Sequence, residues 1–75
     1  MAVRLYCIEV PKVYQDKADA ILHRYYANGD IDLKQLEYRT HGITSTVRYW
    51  MTCVCSDDIE IIRKELNDNG LHLFN

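Results

Sequence analysis

The sequence predicts an α+β domain in which a four-stranded antiparallel sheet carries two helices on one face. Two stretches place apolar residues at helical spacing, and four others are rich in β-branched and aromatic residues. Their order along the chain is β-α-β-β-α-β, and the changes of period coincide with proline, glycine or capping acids.

Residues 2–10 (AVRLYCIEV) are expected to form the first strand, which stops at Pro11 because proline has no N–H to give a ladder. From Tyr14 the period changes. Tyr14, Ala18, Ile21, Leu22 and Tyr25 share one helical face, while Gln15, Asp16, Asp19, His23 and Arg24 take the other. A helix over 14–27 follows, ended by Asn28-Gly29. Residues 30–40 read as a strand whose apolar parity slips between Leu33 and Leu36, the mark of a bulge or a late start. After a turn at His41-Gly42, residues 43–55 (ITSTVRYWMTCVC) give the clearest strand. In it Val47, Tyr49, Met51, Cys53 and Cys55 alternate with Thr46, Arg48, Trp50, Thr52 and Val54. Ser56 or Asp57 is expected to cap a second helix, and Asp57 with Glu60 has capping-box spacing. Ile59, Ile62 and Leu66 are its buried stripe, with Ile61 beside them. Asn69-Gly70 closes it, and Leu71-His72-Leu73-Phe74 is a short last strand.

This order is the split βαβ pattern, and over the whole chain it resembles the ferredoxin-like folds. That resemblance implies strands one and three at the centre of the sheet and strands two and four at its edges. It implies no activity, because the fold serves many.

Seventy-five residues suffice for one domain, 1–75, with a thin core that buries about 60–65% of the unfolded surface. A homodimer is a natural supplement at this size. The net charge of −2 lacks the basic footprint that binding a phosphate backbone requires, so nucleic acid is a disfavoured partner. Cys53 and Cys55 lie too close in an extended strand to bridge each other, and Cys7 makes the number odd. Thiols in a reducing compartment explain all three. Arg4 and Glu9 interrupt any signal-peptide core, and no window approaches the ~18 apolar residues of a membrane span. A cytoplasmic protein away from membranes is expected.

Chemistry finds little support. Acylphosphatases share the element order but carry a glycine-rich phosphate loop after strand one, where this chain has Pro11-Lys12-Val13. Metal-handling ferredoxin-like domains set two cysteines at C-x-x-C spacing in that loop. Cys53-x-Cys55 lies instead within a strand, on the face expected beneath the helices. His23, His41 and His72 form no ligand motif. Thr44-Ser45-Thr46 has no adjacent base, and Asp57-Asp58 is explained by helix capping. The chain is therefore read as non-catalytic, with no cofactor and no metal.

The informative feature is the sheet face away from the helices. If Val47, Tyr49, Met51 and Cys53 turn inward, then Arg48, Trp50, Thr52 and Val54 turn outward. Strand one is apolar on both sides. Either Tyr6, Ile8 and Val10 go inward and Leu5 and Cys7 stand beside Trp50, or the reverse holds and Tyr6 stands there. Glu9 favours the first, because an unpaired carboxylate does not belong in a core. Tyr26 adds an exposed aromatic on the first helix. Trp50, Arg48, Tyr6, Leu5, Thr52, Val54 and Tyr26 are thus the candidate interface residues.

These residues point first to a protein-binding or regulatory domain acting through the open sheet face or an edge strand, on itself or on another protein. A small inhibitor, such as a virus-encoded antagonist of a host or defence protein, belongs to that class. The RNA-recognition domains stack bases on aromatics of strands one and three, and Tyr6 and Trp50 occupy those strands. Their Lys/Arg-Gly-aromatic signature is missing. Amino-acid-sensing domains share the element order but bind near a glycine-containing loop, and Pro11-Lys12 departs from it.

Overall fold

The computed structural model describes residues 4–71 and Leu73. Its elements are β1 (Leu5–Pro11), a single 3-10 turn (Lys12–Tyr14), α1 (Gln15–Ala27), β2 (Ile31–His41), β3 (Thr44–Cys53) and α2 (Asp58–Asp68). The strands form one antiparallel sheet in the order β1-β3-β2.

The expectation of a four-stranded sheet is overturned. Among the described residues the sheet has three strands, with β3 alone at its centre. Leu71 is fully buried, but its N–H goes back to the Leu66 carbonyl (3.2 Å), which closes α2 instead of extending a ladder. Leu73 packs against the core without strand geometry, and His72 and Phe74 lie outside the described residues. Two leucines at a spacing of two suit any short apolar segment, so their alternation carried little information.

The start of α2 differs as well. Asp57 is the N-cap residue, but its backbone is already helical (φ −70°, ψ −20°) and its carboxylate makes no capping bond. Its carbonyl accepts from the Glu60 and Ile61 N–H groups instead (3.2 and 3.3 Å). Between β2 and β3 the parity slip is a bulge between Leu33 and Gln35, so Lys34 has no opposite residue in β3. Gly42, at φ 64°, makes the tight turn that joins them.

Ladder alternation assigns a direction to every backbone group. The Val54 N–H donates to the Asp30 carbonyl (3.0 Å). Counting back along β3 in twos, Thr52, Trp50, Arg48 and Thr46 direct their backbone groups to β2, while Met51, Tyr49 and Val47 direct theirs to β1. Two observations agree with this assignment. The Cys7 carbonyl, opposite Trp50, faces away from β3 and accepts from Arg63 Nη2 (3.3 Å). Pro11, opposite Thr46, falls where the ladder needs no N–H.

The core lies between the sheet and the two helices. Ile8, Val10, Ile31, Val47, Tyr49 and Met51 meet Ala18, Ile21 and Leu22 of α1 and Ile59, Ile62 and Leu66 of α2. The helices are also tied to each other. Tyr25 Oη donates to Glu65 Oε1 (2.5 Å), and Arg24 pairs with the same carboxylate. Truncating Leu22, fully buried at the α1–sheet contact, removes apolar contacts and leaves a cavity. Leu22→Ala is expected to cost about 2–5 kcal/mol in urea denaturation. Ile43→Ser, at the fully exposed hairpin tip, should change stability by less than about 0.5 kcal/mol.

Candidate functional site

Cross-strand partners share a sheet face, so the register sorts the side chains. The face away from the helices carries four rows: Leu5, Thr52 and Asp32; Cys7, Trp50 and Gln35; Glu9, Arg48 and Glu37; and Pro11, Thr46 and Arg39. Within the sheet it divides into a half around Trp50 that is largely apolar on β1 and β3 but carries Gln35 and Asp32 on β2, and an ionic half around Arg48.

The ionic half is built around one buried carboxylate. Glu9 is 6% exposed, Thr46 is fully buried, and the Thr46 hydroxyl donates to Glu9 Oε2 (2.5 Å). Arg48 Nε donates to Glu9 Oε1 (3.2 Å), and Arg48 Nη1 lies 3.6 Å from Glu37 Oε1. Hydrogen bonding to Glu9 raises the Arg48 pKa further above its ordinary value. The carboxylate tolerates burial here because a hydroxyl and a guanidinium share its charge.

In the apolar half Trp50 is partly exposed and its indole Nε1 donates to Glu37 Oε1 (3.4 Å), which links the two halves. Leu5 is half exposed, Thr52 is partly exposed, and Val54, one residue beyond β3, is almost wholly in solvent. Four of the seven candidate interface residues are thus together on one face, Trp50, Arg48, Leu5 and Thr52, with Val54 exposed one residue beyond the end of β3. The other two stand elsewhere. Tyr6 is opposite Met51 on the helix-bearing face, where it packs against the core with Arg4 over its ring. Tyr26 is half exposed on α1, edge-on to His23. Tyr6 and Trp50 therefore stand on opposite faces and do not form a common base-stacking platform.

The helix-bearing side holds an arrangement that the sequence did not reveal. An open groove of about 360 Å³ runs between α1 and β2, lined by Asp19, His23, Leu33, Lys34, Gln35, Leu36 and Tyr49. The Tyr49 hydroxyl donates chiefly to Asp19 Oδ1 (2.5 Å), with the Gln15 carbonyl at 3.3 Å. Burial, and then the Asp19 hydrogen bond, raise the Tyr49 pKa well above its ordinary value. Gln15, Asp19 and His23 recur every four residues along α1, but nothing in that spacing points to Tyr49 thirty residues on. The cysteines divide. Cys53 packs against the core, but Cys55 is exposed beyond the end of β3, so the two do not share the buried face expected of them. Burial raises the thiol pKa of Cys7 and of Cys53.

Among the described residues no three His, Cys, Asp or Glu side chains are grouped to hold a metal ion. No described helix is long and apolar enough to cross a membrane. Among the described residues the chain has a small α+β fold with a three-stranded antiparallel sheet. In comparisons with known proteins the chain matches no family model, no curated protein and no solved structure.

Two consequences are measurable. Removing the Glu9 carboxylate leaves the Thr46 hydroxyl buried and Arg48 without its nearest acceptor. Glu9→Ala should therefore destabilise the domain by about 1–3 kcal/mol in urea titration, a range set by the partial exposure of Arg48. A phenol whose pKa rises on folding contributes stability that is intact below its ordinary value of 10.0 and lost as the pH climbs above it. Tyr49 should resist ionisation until the chain unfolds in alkali, as followed by tyrosinate absorbance. In Tyr49→Phe that late step should be absent.

Proposed function

We propose that the chain is a non-catalytic, cytoplasmic protein-binding domain that engages its partner through the sheet face away from the helices. The observation that carries this reading is the position of Trp50. Its indole stands on the central strand, on the helix-free face, at the boundary between the Leu5–Thr52–Val54 end and the Arg48 network. An apolar centre beside ordered charges is the anatomy of a protein interface, in which the apolar part supplies affinity and the charges fix orientation. Trp and Arg are also the side chains most often found to dominate binding energy. A regulatory or inhibitory action follows from such a face when it covers part of another protein's surface.

A photoreactive p-benzoylphenylalanine placed at Thr52 tests the reading in cells that express the protein. Thr52 lies beside Trp50 on the proposed face, whereas Lys17 is exposed on α1. Illumination should give a discrete protein adduct from position 52 and none from position 17. Trp50→Glu should reduce the adduct by about thirtyfold, the effect of a strong hot spot. Circular dichroism should show Trp50→Glu to be folded. Equal adducts from both positions, or no effect of Trp50→Glu, would sink the proposal.

A further inference from the structure

We propose that two copies of the chain join through the outer edge of β2, by antiparallel pairing centred on Tyr38. The observations behind it concern the outer edge of β2, which shares Glu37 with the Trp50 face but does not use the indole. Among the described residues β2 is an edge strand, and only its inner side is paired, with β3. The backbone groups of Gln35, Glu37 and Arg39 turn inward, because their opposites Trp50, Arg48 and Thr46 direct theirs to β2. Those of Leu36, Tyr38 and Thr40 therefore turn outward. The bulge ends before Gln35, so 35–41 is a regular stretch.

The side chains select both the partner and the register. Leu36 and Tyr38, on the helix-bearing face, are 43% and 56% exposed at an edge that natural proteins ordinarily protect. The opposite face of the same stretch carries Glu37 and Arg39, two residues apart. In an antiparallel pair about a two-fold axis at Tyr38, Glu37 of each copy stands opposite Arg39 of the other, which makes two ion pairs. Leu36 stands opposite Thr40, and Tyr38 opposite its own counterpart, all three with outward backbone groups. Other registers are worse. Centring on Glu37 or on Arg39 places like charges face to face, and centring on Leu36 runs the ladder into the Lys34 bulge. A strand with this charge order is complementary to itself, so the fitting partner is a second copy.

Sedimentation velocity of the whole chain tests the inference, with circular dichroism to show that each variant is folded. The wild type should sediment with the mass of two chains. Arg39→Glu sets two acidic pairs across the axis, and Glu37→Lys sets two basic ones. Each alone should weaken the dimer about tenfold to a hundredfold. Mixed in equal amounts they restore opposite charges at both positions, and a heterodimer should form. Because Glu37 also meets Arg48 and Trp50, a second route avoids it. Tyr38→Pro removes an outward N–H that the β3 ladder does not use, and should give a folded monomer, whereas Tyr38→Thr keeps the N–H and the dimer. A wild type that stays monomeric at its highest soluble concentration would overturn the proposal. So would a dimer indifferent to both Arg39→Glu and Tyr38→Pro, or one abolished only by Trp50→Glu.

Discussion

Because β3 pairs with both of its neighbours, its alternation decides which face every side chain of the sheet occupies. A slip of one residue would drive Arg48 and Trp50 beneath the helices and expel Val47, Tyr49 and Met51. Such a slip is opposed from both sides. Val47 and Met51 are fully buried in the core formed by the described residues. Glu9 and Glu37 flank Arg48 in the same row, so the charges pair in the native register and in no neighbouring one. The core and the ionic row therefore enforce one arrangement from opposite faces.

Glu9 shows how the ionic row is maintained at low cost. A buried carboxylate without partners is expensive, but this one accepts hydrogen bonds from the Thr46 hydroxyl and from the Arg48 Nε–H. Glu37 is ion-paired with Arg48 and accepts a hydrogen bond from the Trp50 indole, so it orients the indole beside the charges. In the proposed interface this hydrogen bond would orient the indole in advance, and a side chain already oriented loses less entropy on binding.

The sheet faces were legible because strand period and charge agreed. Arg48 and Glu9 barred one side of their strands from the core, and the alternating Val47, Tyr49 and Met51 claimed the other. The bulge was legible for the same reason, since two apolar runs out of phase cannot share a face without an extra residue. The last strand was not. Leu71 and Leu73 alternate as strand residues do, yet the Leu71 N–H is spent on the end of α2. The Asp57–Glu60 spacing misled likewise, because a capping box needs an N-cap residue with extended backbone and Asp57 is helical. The pairing of Asp19 with Tyr49 was hidden for another reason. It joins residues thirty apart, and nothing local to either announces the other.

The two proposed surfaces are geometrically compatible. A two-fold axis through the Tyr38 pair runs perpendicular to the sheet, so it carries the helix-free face of one copy onto the same side as that of the other. Joining β2 to β2 would give one six-stranded sheet with both helix layers behind it and both Trp50 side chains in front. Three strand spacings separate the two β3 strands across that sheet, about 14 Å. Each Trp50 also lies three residues along β3 from Val47, the residue opposite Tyr38, so the indoles stand about 25 Å apart, and a partner with a two-fold surface or repeated contacts of that span can meet both at once. The second contact then forms at a high effective concentration, and modest affinity at each Trp50 becomes strong binding overall. A domain of 75 residues has little surface for a large interface of its own, and doubling the sheet enlarges it without lengthening the chain.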